Sequence, residues 1–116
     1  MKKTVSMKEN RDFRRLYHRG KSAATRYVVV YCSKNRQGSN RLGLTVSTKL
    51  GGAVVRNRIK RLLREAYRLH EAEFKTGYDL VLVARGRAAG AKCRDIERAL
   101  LEAMDALKLR VPSGEA

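Results

Sequence analysis

Residues 41–65 decide the fold. The run Arg41-Leu42-Gly43-Leu44-Thr45-Val46-Ser47, then Thr48, then Lys49-Leu50-Gly51-Gly52-Ala53-Val54-Val55-Arg56-Asn57-Arg58-Ile59-Lys60-Arg61-Leu62-Leu63-Arg64-Glu65, changes hydrophobic period midway. Its first seven residues alternate: Leu42, Leu44 and Val46 face one way, Arg41, Gly43, Thr45 and Ser47 the other. That period of two predicts a strand with one face in the core and one left open. Past Gly51-Gly52 the period becomes helical, and a helix is expected over about residues 53–74. At about 100° per residue, Val55, Ile59, Leu62, Leu63, Ala66 and Leu69 form one apolar arc. Asn57, Lys60, Arg61, Arg64 and Arg68 fall opposite it, with Arg56 and Arg58 on its two edges.

Upstream, Ser6-Met7-Lys8-Glu9 has the capping-box pattern and predicts a first helix running to Arg19 and stopping at Gly20. Phe13, Leu16 and Tyr17 share one face of it. Residues 26–33 are β-branched and aromatic and predict a strand, with Tyr27, Val29 and Tyr31 on one side and Val28, Val30 and Cys32 on the other. The polar loop 34–40, with Gly38, suggests a hairpin to the next strand. Downstream, residues 78–85 are apolar on both faces, as a strand inside a sheet must be. Residues 85–91 read as a loop. A last helix over about 92–107 buries Ile96, Leu100, Ala103, Met104 and Leu107. The order helix, strand, strand, helix, strand, helix implies a single domain spanning residues 1–116, an α+β sandwich on a small mixed sheet.

The 116 residues are 43% apolar, with one proline and no tryptophan. Apolar content so high and so periodic excludes a disordered tail. Lys and Arg number 27 against 11 Asp and Glu, a net charge of +16. The excess is lopsided: residues 1–68 hold 19 cations against Glu9, Asp12 and Glu65, while residues 69–116 hold eight of each sign. Self-repulsion of that size points to a polyanionic partner, nucleic acid before an anionic membrane surface. The membrane reading needs an amphipathic helix with no other core to join. No apolar run approaches the roughly 20 residues of a membrane span. The Met-Lys-Lys start has no apolar stretch behind it, so no secretory signal is expected. Cys32 and Cys93 lie far apart and match no metal spacing, which suits a reducing, cytoplasmic setting.

No catalytic residue suggests itself. His18 and His70 stand near no Asp/Glu pair at metal-ligand spacing, and no metal site is expected. Gly51-Gly52 lacks the Walker pattern, and nothing points to a small-molecule substrate. The long helix is different. A solvated helix surface normally mixes signs, yet Arg56, Arg58, Lys60, Arg61, Arg64 and Arg68 face a lone Glu65. Arginine forks suit phosphate and stack on bases. The Gly-Gly approach leaves the first N–H groups of the helix open to a phosphate. Phe13, Tyr17 and Tyr31, and Tyr27 beside them, are compatible with core. The neighbouring Arg41, Thr45 and Ser47 are equally compatible with a platform on which single-stranded bases stack.

The 41–65 run, with its Arg-Asn-Arg helix, resembles the signature of the bacterial ribonuclease P protein family. The Phe13…Tyr17 helix, the Tyr-rich strand and strand 78–85 match that family in order and spacing, so the likeness covers about residues 4–108. Thr48 stands where the family usually has Lys or Arg, and Gly52 where Asn is common. The resemblance implies a sandwich like the second domain of ribosomal protein S5, with a left-handed βαβ crossover. It also implies a protein that binds the catalytic RNA of ribonuclease P and assists removal of the 5′ leader from precursor tRNA. The chemistry would then belong to the RNA and its Mg²⁺. By resemblance, Arg56, Asn57, Arg58, Lys60, Arg61, Arg64 and Arg68 dock the catalytic RNA, and Phe13, Tyr17 and Tyr31 hold the leader. The alternative is a basic ribosomal or other structured-RNA-binding protein without a processing role.

Overall fold

A computed structural model describes residues 4–111; the ends of the expected 1–116 domain, 1–3 and 112–116, lie outside the described residues. In chain order the elements are β1 (Thr4–Ser6), α1 (Asn10–Arg19), β2 (Lys21–Ala24), β3 (Val28–Lys34), β4 (Asn40–Thr45), α2 (Ala53–His70), β5 (Tyr78–Ala84) and α3 (Cys93–Ala106). One mixed sheet has the order β1-β4-β5-β3-β2. β5 takes its centre, parallel to β4 and antiparallel to β3. Composition explains the place: Leu80, Val81 and Leu82 are all fully buried although successive side chains of a strand point to opposite faces. A strand apolar on both sides must be covered on both.

The covers differ in size. α2 and α3 lie on one face, where Ile59, Leu63, Tyr67, Ile96, Leu100 and Met104 close on Val28, Val30, Leu80 and Leu82. The other face carries only α1, with Leu16 fully buried beside Met7 and Val81 and with Phe13, Tyr31 and Val83 at the margin. The face expected to be open is therefore roofed by one short helix.

Several expectations change. Residues 34–40 do not close a hairpin: β3 and β4 are separated by β5, which the doubly apolar sequence of β5 requires. The expected strand 26–33 is β3, and an unforeseen strand, β2, precedes it and pairs with it antiparallel; the turn between them holds Thr25, whose Oγ1 donates to the Val28 carbonyl at 2.7 Å. Tyr27 then packs on the main core and not beside Tyr31. Ser6 belongs to β1 and not to a capping box; α1 starts at Asn10, with Glu9 at its N-cap position. Gly20 does end α1, but in an extended conformation. Its backbone passes so close to Leu16 and Cys32 that a Cβ would sit 2.6 and 2.8 Å from their carbonyl oxygens. α2 ends at His70 and continues as a 3-10 turn, Glu71–Glu73. Leu69 is 54% exposed, and Tyr67 takes the inner position instead. The Tyr67 hydroxyl supports that burial by bonding Asn40 Nδ2 (3.1 Å) and Thr4 Oγ1 (2.9 Å).

The end of α2 is tied to α3 through His70, whose Nε2 meets Glu97 Oε1 at 2.6 Å while Nδ1 meets Glu73. Burial pushes the imidazole down, but the two carboxylates outweigh it and leave the pKa raised. A raised folded pKa gives stability that is complete below the unfolded value of about 6.5 and disappears as pH rises through the folded one. Denaturant titrations of the wild type should show that loss as pH rises past about 6.5, and a His70→Gln variant should lack it. Packing and surface should separate on α2 itself. Ile59→Ala empties a fully buried site and should cost about 2–5 kcal/mol. Arg64→Ala, at an exposed position, should change stability by no more than about 0.5 kcal/mol. Thermal melts without RNA compare the two.

Candidate nucleic-acid interface

α1 lies over β3 and β5, and its side chains reach across to β4 in a regular correspondence. The positions of β4 that face α1 are Arg41, Gly43 and Thr45, and each meets a residue of the helix. Arg41 Nη2 reaches Asp12 Oδ1 (3.5 Å), the Phe13 ring covers Gly43, and the hydroxyls of Tyr17 and Thr45 are 2.7 Å apart. Only glycine permits the middle contact, since a Cβ on Gly43 would stand 2.3 Å from the ring. Tyr17 meets Tyr31 of β3 edge-on, ring centroids 5.0 Å apart at 72°. Tyr17 remains 38% exposed.

Two adjoining grooves open beside these rings. The larger, about 550 Å³, runs between Phe13, Arg14 and Tyr17 of α1 and Leu44, Thr45 and Val46. The smaller, about 240 Å³, passes Met7, Lys8, Leu42 and Arg64. Phe13, Leu44 and Lys60 line both, so they form one channel whose far wall is α2. No Asp or Glu lines either one. Apolar floor, exposed aromatic edge and cationic wall are the ingredients of a single-strand site. Tyr31 does not line the channel; it touches Tyr17 and thereby steadies it.

The seven residues of α2 expected to dock RNA divide into two groups. Arg56 Nε donates to the Gly51 carbonyl (3.1 Å), Arg58 donates to the Ala89 and Ala91 carbonyls (3.4 and 2.9 Å), and Arg68 is paired with Glu65. These three brace the ends of the helix and the turn Gly86–Gly90. Lys60, Arg61, Arg64 and Asn57 have no intramolecular side-chain partner among the described residues and are available for a ligand. Lys60 and Arg64 point to the channel; Arg61 and Asn57 are exposed. The N-terminal turn of α2, entered through Gly52, carries neither a side-chain cap nor an acid.

Sequence reasoning missed a buried ionic network under α1. Asp79 of β5, 1% exposed, accepts from Arg41 Nε (2.8 Å) and Nη2 (2.6 Å), from Asn35 Nδ2 (2.9 Å) and from Arg15. Arg15 also meets Asp12, at 3.2 Å. Burial pushes the Asp79 carboxyl up, but the bonds from Arg41 and Asn35 and the Arg15 charge outweigh it and hold the pKa below the ordinary range. The Arg41 pKa rises in turn, chiefly through its bond to Asp79. Arg15 and Arg41 thus belong to the basic half of the chain but are already neutralised. A lone Asp in an otherwise apolar strand was the available signal.

The described residues contain no group of three or more His, Cys, Asp or Glu able to hold a metal ion. No helix among them is long and apolar enough to cross a membrane.

Known proteins match this one along nearly the whole chain. The family model for ribonuclease P matches residues 1–108. The ribonuclease P protein component of Alkaliphilus metalliredigens is 41% identical over 109 residues, 94% of this chain and 98% of that one. That of Clostridium botulinum strain Langeland is 47% identical over 100 residues, covering 85% and 90%. Among solved structures, the RNase P protein of Staphylococcus aureus superposes with a TM-score of 0.84 at 36% identity, covering 92% of this chain and 98% of that one. The Thermotoga maritima protein gives 0.77 at 31%, covering 84% and 92%. Family model, sequence identity and overall fold agree, and the chain belongs to the ribonuclease P protein family.

Proposed function

We propose that this chain is the RNA-binding subunit of a cytoplasmic ribonuclease P, docking the catalytic RNA on α2 and holding the 5′ leader of precursor tRNA in the channel beside α1. The observation that carries the proposal is the placement of Lys60. It stands on the arginine-bearing helix and also lines the groove of Phe13 and Tyr17. One cation therefore joins a phosphate-binding surface to a stacking surface. Arg61 and Asn57, outside the channel, face a partner that approaches α2 from solvent. Arg64 and Lys60 face the strand inside the channel.

Each part has a distinct task. Free arginines on α2 neutralise phosphates and set the register of the RNA without reading sequence. The Tyr17 edge and the Phe13 ring offer stacking to unpaired bases, which is tolerant of base identity. Leu44 and Val46 keep the channel floor apolar. Mg²⁺ held by the RNA would supply the hydrolytic chemistry; among the described residues no group of three or more His, Cys, Asp or Glu could hold the ion. The ribosomal alternative has no support in the relatives, which are named as ribonuclease P protein components.

The docking face is tested by salt. Arg61→Ala should weaken binding of the catalytic RNA and reduce the slope of log K against log salt by about one unit. Arg98→Ala, exposed on α3, should do far less. Equal effects would contradict a localised face. The channel is tested by substrate choice: Tyr17→Ala should cost the reconstituted holoenzyme about 1–3 kcal/mol in precursor binding. Binding of mature tRNA, which has no leader, should be unchanged. An equal loss for both tRNAs would remove Tyr17 from the leader site.

A further inference from the structure

We propose that Asp79 is a positioning residue for the leader channel: through Arg15, Arg41 and Asp12 it fixes the height and rotation of α1 over the sheet. The inference rests on the reading of the channel as the leader site. Asp79 lines neither groove, so any effect on a bound strand must pass through the helix.

α1 has unusual need of such a tie. It is ten residues long, about 15 Å, and a helix that short is marginal alone in water. It lies on its face of the sheet without a neighbouring helix, and Leu16 is its one fully buried apolar side chain. Against that small apolar contact stands an ionic one of defined geometry. Arg41 grips Asp79 with two parallel bonds, 2.8 and 2.6 Å, a planar arrangement that fixes direction as well as distance. The same guanidinium reaches Asp12 on α1, and Arg15 on α1 reaches back to Asp79. The helix is thus held by two crossed links, one on each of two residues three apart. Asn35 completes the shell of Asp79 from the loop between β3 and β4.

The consequence lies one residue away. Phe13 follows Asp12, and its ring is pressed onto Gly43, two residues beyond Arg41. Any lift or turn of α1 changes the distance from Phe13 and Tyr17 to Leu44 and Lys60 across the channel. Buried ion pairs contribute little net stability, and geometric specification is one of their attested uses. Two arginines and two carboxylates also cancel in charge, so the network shapes the channel without adding a phosphate ligand to it.

The sign of the effect separates positioning from charge. Asp79→Asn keeps the side-chain shape but frees positive charge, which by itself would tighten binding of every RNA. Positioning demands the reverse for the precursor alone. With folding verified by circular dichroism, the Asp79→Asn holoenzyme should bind precursor tRNA about tenfold more weakly. Mature tRNA and the catalytic RNA should bind at least as tightly as to wild type. Asp12→Asn leaves the Arg41–Asp79 pair intact and should show a smaller loss of the same kind; it decides the matter if the first variant does not fold. Precursor binding at or above the wild-type level, or an equal loss for both tRNAs, overturns the inference. Tyr17→Ala in the same assay tells the two ideas apart. If it loses leader selectivity while the Asp variants keep theirs, only the positioning role falls. If it keeps selectivity, the leader site itself is misplaced and both fall.

Discussion

Val81 and Leu82 are consecutive, point to opposite faces of the sheet, and are both fully buried. That constraint on β5 organises the molecule. One strand has to be covered twice, by a thick layer of α2 and α3 below and by α1 above. The cationic helix and the aromatic helix therefore lie on opposite sides of one sheet. They come together only beyond β1, whose pairing with β4 stops at Leu42, where Lys60 and Arg64 rise beside Leu44 and Phe13. A channel with cations on one wall and aromatic rings on the other follows from where β5 sits.

The charge of the chain acquires a finer meaning in this arrangement. Nineteen cations in the first 68 residues look like one large basic surface. The structure assigns several of them to the protein itself: Arg15 and Arg41 to Asp79, Arg56 and Arg58 to backbone carbonyls, Arg68 to Glu65. What remains free on α2 is a small group, Lys60 and Arg61 and Arg64, which stand on adjacent turns. Attraction of RNA from a distance is a property of the total charge, whereas in the proposed docking its register on the surface would depend on these few.

Much of this was legible from periodicity. The alternation of residues 41–47 and the 3.6-residue period after Gly52 placed β4 and α2, and the apolar run at 78–85 placed β5 inside the sheet. The same run should have forbidden the hairpin across 34–40, because a strand covered on both faces takes the centre from a strand with one open face. β1 and β2 escaped notice for a physical reason: both are edge strands of three or four residues, and their partially exposed sequences carry no apolar pattern. Leu69 and Tyr67 exchanged roles because a hydroxyl that finds Asn40 and Thr4 can be buried as readily as a leucine. The aromatics could not be assigned from sequence, since core and platform need the same residues. The Phe13 ring over Gly43 and the edge contact with Tyr31 leave Tyr17 partly open and Tyr31 behind it. The Asp79 network depends on contacts between residues 38, 44 and 64 positions apart in the chain, which no local pattern reveals.

The central claim is that one strand of RNA lies between α1 and α2 while another segment docks on the outer face of α2. Photocrosslinking tests it most directly. A holoenzyme reconstituted with precursor tRNA, carrying a single photoreactive nucleotide in the leader, should crosslink to residues lining the channel, Phe13, Tyr17 and Lys60 foremost. The same label placed along the catalytic RNA should reach Asn57 and Arg61. Leader crosslinks concentrated on α3 or on the β2 edge, with the channel unlabelled, would contradict it.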